Sequence, residues 1–128
     1  MKLPDKYADF AYALLRIMAG VLFSFHGAQK ILGVLGGFRP AVGTELWFAG
    51  LIELFGGLAV ALGLGTRIAA VLCSGEMAVA YFQVHWKFQI GTQFFPVVNK
   101  GELAVLYCFL FLFVASRGAV RWGLDKPR

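Results

Sequence analysis

Four long apolar runs, Ala8 to Leu32, Glu45 to Leu64, Thr66 to Trp86 and Gly101 to Ser116, occupy most of this chain. About 20 consecutive apolar residues suffice to cross a bilayer as a helix. The fourth run is shorter, but it carries the dense stretch LYCFLFLFVA. A soluble four-helix bundle would keep a polar stripe along every helix, and these runs have none. Only 15% of the residues are charged, against roughly 25% in an ordinary soluble domain. A chain of 128 residues cannot hide that imbalance, because a small domain has too much surface for its core. The expected fold is all-α: an integral membrane four-helix bundle with antiparallel up-down topology, one transmembrane domain over residues 1–128.

The first run is too long for a signal peptide, lacks an A-x-A cleavage pattern and precedes three more spans, so it is expected to stay attached. With four spans, Lys2, Lys6, Arg16, Arg67, Arg117, Arg121, Lys126 and Arg128 share one side. Lys30, Arg39, Lys87 and Lys100 share the other. The positive-inside rule then puts both termini in the cytoplasm. These basic residues stand at span ends and not on one polar face, which argues against a nucleic-acid partner. The partner implied is the lipid bilayer. Cys73 and Cys108 form no C-x-x-C. Their depths along the helices differ by ~9 Å, too far for a disulfide, and both are read as inert packing residues.

The connections differ in kind. Gly65-Thr66 is short enough to force a tight hairpin, with Gly ending one helix and Thr capping the next. GVLGGFRPAVG after the first span reads as a loop. The stretch from Trp86 to Glu102 is aromatic enough to lie at the bilayer boundary or over the bundle mouth. Asn99 followed by Glu102 has capping-box spacing.

Charge inside a span is costly and faces protein or trapped water. Arg16, His26, Glu53 and Glu76 lie well inside, with Gln29, Lys30, Gln83, His85 and Glu102 nearer the outer end. On the first span, Arg16, Gly20, Phe23, Gly27 and Lys30 share a face, and His26 lies one turn before Lys30. Glu53 shares its face with Ala49, Gly56, Gly57 and Val60, the small residues through which membrane helices approach one another. Glu76 shares its face with Ala69, Cys73, Ala80 and Gln83. At 1.5 Å per residue, His26 lies ~9 Å and Glu53 ~12 Å below the outer end of its span. An outward-opening pocket is expected, with His26 and Glu53 as the reacting pair. Lys30, Gln29, Glu76, Gln83, Glu102 and Arg16 are the candidate substrate contacts. The bland alternative is an ion-pair network that glues the bundle, with Lys30 a boundary anchor and His85 an interfacial residue. The spacing of His26, Glu53, Glu76 and His85 is too loose for a metal.

Read in order, FHGAQK, GLIELFGG, GLGTR, GEMAVAYFQVHW, NKGELAVLY and GAVRWGLD resemble the DoxX family of small bacterial membrane proteins, from about Leu14 to Asp125. Where the family ends in Gly-x-Gly-x-x-Ser-x-Asp, this chain has Val120 and Gly123 in place of the second Gly and the Ser. The resemblance implies a four-helix protein of the bacterial inner membrane. Some relatives are similar to the membrane subunit of a thiosulfate:quinone oxidoreductase, and others are tied to redox or thiol-stress complexes. It therefore points to a redox-system subunit or accessory with a pocket for quinone or a small sulfur compound. Quinone is the one cofactor implied, and redox proteins are the implied partners. A transporter component, which four spans would require to be a homo-oligomer, and a scaffold recruiting soluble redox enzymes are the alternatives.

Overall fold

The structure, a computed structural model, describes residues 2 and 4–126; Arg128, counted above with the basic side, lies outside them. The described residues form four long helices: α1 (Asp5–Leu32), α2 (Glu45–Leu62), α3 (Thr66–Trp86) and α4 (Glu102–Arg117). The first three are long and apolar enough to cross a membrane. The fourth has 16 residues, and it packs along α3 as α1 packs along α2.

α1 begins after Pro4, which cannot continue a helix backwards, and stops at Gly33 with φ +68°. α2 is capped by Thr44, whose hydroxyl accepts the Trp47 N–H at 3.3 Å. It ends in a Schellman motif: Gly63 takes the left-handed conformation, its N–H reaches Val60 O, and the Leu64 N–H reaches Ala59 O at 2.9 Å. The helix therefore stops before Leu64.

α1 and α2 lie close because glycines face each other. A Cβ on Gly20 would stand 2.5 Å from Gly57 O, and one on Gly27 would stand 2.1 Å from Leu54 N. This is the small-residue contact by which helices in lipid approach. α3 meets α4 through Ser74, whose hydroxyl donates to Cys108 O at 2.8 Å. Cys73 and Cys108 are free thiols. Near Cys73, Phe23, Val60 and Phe111 complete the core.

Two π-helical turns interrupt the α-helical pattern, Ile52–Gly56 in α2 and Tyr81–Trp86 in α3. After Trp86 the chain forms a compact aromatic cap. Tyr81 OH donates to Phe94 O, and the Asn99 amide donates to Gln93 O at 2.8 Å and to Tyr81 OH at 3.2 Å. Asn99 thus ties this segment to α3 and does not build the expected capping box. The cap of α4 is Gly101, with no side-chain bond.

The opposite end is closed by the chain's tail. Arg16, fully buried, donates to Val60 O (2.5 Å) and Ala61 O (3.0 Å) of α2 and to Ala119, Arg121 and Trp122 carbonyls of the tail (2.7–3.2 Å). Asp125 takes the Gly65 N–H (2.7 Å), the Thr66 N–H (2.9 Å) and the Thr66 hydroxyl (2.6 Å). The start of α3 is therefore capped by a carboxylate sixty residues away in sequence, not by the expected Thr66 side chain. The Thr66 hydroxyl, then the Thr66 and Gly65 N–H groups, hold the Asp125 carboxyl below the usual carboxylate range. A carboxyl so depressed contributes stability above its unfolded-state pKa and loses it as pH falls through the folded value. Wild type is thus expected to lose melting temperature on acidification below about pH 4. Asp125→Asn should start lower at neutral pH and show a smaller drop over the same interval, measured by circular dichroism in detergent.

Candidate functional site

Beside these π turns, residues of all four helices line a cavity of about 300 Å³. Its central feature is an ion pair. Lys30 Nζ stands 2.6 Å from Glu53 Oε2, with Glu53 almost wholly buried and Lys30 partly so. Lys30 can reach inward because Gly50 leaves space beside its stem, where a Cβ would come within 2.7 Å of Lys30 Cβ. Lys30 is therefore an inward-facing partner of Glu53 and not a boundary anchor.

His26 lines the same cavity but is solvent- or lipid-exposed at its edge, its ring edge-on to Tyr107 at 6.4 Å. The expected contact of imidazole with the Glu53 carboxylate is not made among the described residues: Lys30, one turn on and with a longer reach, holds that place. Glu76 enters from α3, and its Oε2 is shielded with no hydrogen-bond partner among the described residues.

The remaining expected contacts lie elsewhere. Gln83 is exposed and off the cavity, while Val84 and His85 line it. The π turn explains the exchange: it advances through a smaller angle per residue than an α turn, so Val84 comes round to the face that α-helical spacing assigns to Gln83 and His85 turns toward the cavity beside it. Gln29 bonds Leu35 O at 3.1 Å and secures the end of α1. Glu102 is exposed at the first turn of α4. Arg16 belongs to the knot at the far end.

Lys100 and Tyr107 join the cavity without having been singled out in the sequence. Tyr107 sits in an apolar run whose other aromatics are mostly exposed, and nothing in local spacing separates it from them. Its inward position depends on Phe23, against which it packs at 5.1 Å.

The cavity can therefore offer donors at Lys30, His26, His85 and Lys100 and two carboxyl groups, inside walls that are otherwise apolar. Such a site binds and orients a small polar head and can exchange protons with it.

The DoxX family model matches residues 11–86. The chain belongs to the DoxX family. That match contains His26, Lys30, Glu53, Glu76 and His85, whereas Lys100, Tyr107 and the C-terminal tail lie beyond it. A protein of Haemophilus influenzae described as "Uncharacterized protein" is 43% identical over 126 residues, covering 95% of this chain and 93% of that one. A Bacillus subtilis protein described as "Putative oxidoreductase CatD" is 37% identical over 126 residues, covering 94% of this chain and 89% of that one. No solved structure matches. Family and apolar helices together make this DoxX chain a membrane protein, with the bilayer as its surroundings.

Proposed function

We propose that this DoxX protein is a subunit or accessory of a membrane redox system, and that its cavity binds a quinone head group or a small sulfur-type compound. The observation that carries the reading is the Lys30–Glu53 pair, sunk in an otherwise apolar cavity that also holds an unpartnered Glu76 oxygen. Ionisable groups placed inside a membrane helix bundle lean toward function. The likeness to a relative described as an oxidoreductase supports the redox assignment.

In this reading His26 and Lys30 donate hydrogen bonds to the head-group oxygen, and Glu53 exchanges protons with it alongside His26. Lysine, histidine and carboxyl groups move protons and not electrons, so electrons pass between the bound quinone and a redox partner protein, one giving and the other accepting them. All four helices cross the bacterial inner membrane, with both termini cytoplasmic and the cavity opening outward. The basic residues Arg67, Arg117, Arg121 and Lys126 at the opposite end support that orientation.

His26→Ala and Glu53→Gln are each expected to abolish binding of a tail-less benzoquinone by the purified protein, measured by titration calorimetry in detergent. Binding unchanged in both variants ends this reading.

A further inference from the structure

The seam between α1 and α4 is built unlike the others. α1 meets α2 through glycines, and α3 meets α4 through small residues and the Ser74 hydroxyl bond. In the half of the bundle that holds the cavity, α1 and α4 meet through aromatic rings. Phe23 packs on Phe111 at 4.8 Å and on Tyr107 at 5.1 Å, and His26 reaches Tyr107 at 6.4 Å. The contact loosens toward the cavity. One turn beyond Tyr107, on the side of α4 that faces α1, stands Leu103, which lines the cavity and is yet 52% exposed. His26 has the same double character on α1. A residue that is both lining and exposed marks a mouth. The surface around this mouth is apolar, with Leu22, Phe25 and Leu106 all exposed, so in a bilayer it opens onto acyl chains.

Two unmet groups lie along the path from this mouth inward. His26 has no protein hydrogen bond among the described residues, and Glu76 Oε2 is shielded and unpartnered. A hydroxyl on the head can donate to Glu76 Oε2, and a carbonyl on it can accept from His26. Leu46 and Val84 are also exposed lining residues, on the α2–α3 side. The histidine there, His85, is already turned to Asn99 O at 3.4 Å.

Resting on the cavity reading above, we infer that the ligand is a tailed amphiphile. Its polar head enters from the acyl-chain region between α1 and α4, passing His26 and Leu103, and its apolar tail stays in that seam. The site is thus served from the membrane and not from water.

The test uses the full chain in lipid nanodiscs with two probes, a benzoquinone carrying a decyl tail and the same ring without it. Each variant is compared with wild type for the same probe, so membrane partitioning cancels. Leu103→Trp is expected to weaken the tailed probe by about tenfold or more beyond whatever it does to the tail-less probe. Leu112→Trp, which adds the same bulk on the exposed side of α4 turned away from Leu103 and outside the cavity, controls for folding and should change neither. Val84→Trp, which fills the α2–α3 side of the same lining, should weaken the tailed probe no more than the tail-less one. Equal weakening of both probes by Leu103→Trp, or selective weakening of the tailed probe by Val84→Trp, overturns entry between α1 and α4. If wild type binds the tail-less ring and gains nothing from the tail, this inference falls while the cavity reading stands. If wild type binds neither probe, both fall.

Discussion

Lys30→Met is expected to be the most damaging single change at the cavity. It leaves the Glu53 carboxylate, 3% exposed, inside the bundle without its counter-charge. Breaking a buried pair from one side costs about 3–5 kcal/mol, because the abandoned charge keeps its desolvation penalty. The partial exposure of Lys30 puts this case near the lower end, and a melting temperature well below wild type is the expected reading in detergent. Neutralising both partners removes that penalty, so Lys30→Met with Glu53→Gln should recover most of the lost stability. Binding of the quinone probe is what separates glue from site. A double variant that is stable and does not bind supports a functional pair; one that is stable and binds as wild type assigns the pair to the scaffold alone.

The second large effect is expected at the opposite end. Arg16→Leu removes the donor to five carbonyl groups, two on α2 and three on the tail. Hydrogen bonds from a charged donor contribute about 1.5–3 kcal/mol each, and the contributions to one side chain do not simply add. A loss of about 3 kcal/mol or more is the expected result. Arg16→Lys should recover little, because an ammonium has three donors on one atom and cannot span two chain segments as the planar guanidinium does. Limited proteolysis provides the specific readout: the tail over residues 119–126 should become cleavable while the helices stay protected. A tail that remains protected in Arg16→Leu refutes the clamp. Ligand binding at the cavity, at the other end of the bundle, should outlast the change wherever the variant folds.

The contrast between Arg16 and Lys30 shows how far local patterning reaches. Both are basic residues within α1, on faces that helical spacing makes nearly common. Spacing alone allowed each to serve the same pocket. In the folded chain they serve opposite ends, because Lys30 meets Glu53 across Gly50 while Arg16 meets carbonyls of a tail a hundred residues later. Spacing likewise favoured Gln83 over His85, and the π turn at Tyr81–Trp86 reversed them. A wide turn is decided by how the helix packs, and no residue of YFQVHW announces it. The departures at Val120 and Gly123 from the family ending left the tail without a legible role, yet Asp125 caps α3 and Gly123 lies against Gly63.

What the amino-acid order determined by itself is the class of the molecule: helices of bilayer length, where they begin and end to within a few residues, and which carboxylates and basic groups must turn away from lipid. These follow from runs of apolar residues, glycine breaks and the cost of buried charge, all of which act within one segment. Tertiary structure alone decided which inward groups meet. Partner choice depends on the depth and rotation of one helix against another, set here by Gly20 on Gly57, Gly27 on Leu54 and the two π turns. Lys30 stands four residues beyond His26, about 6 Å along the helix and just over one turn around it, and that offset gives Glu53 a lysine in place of a histidine.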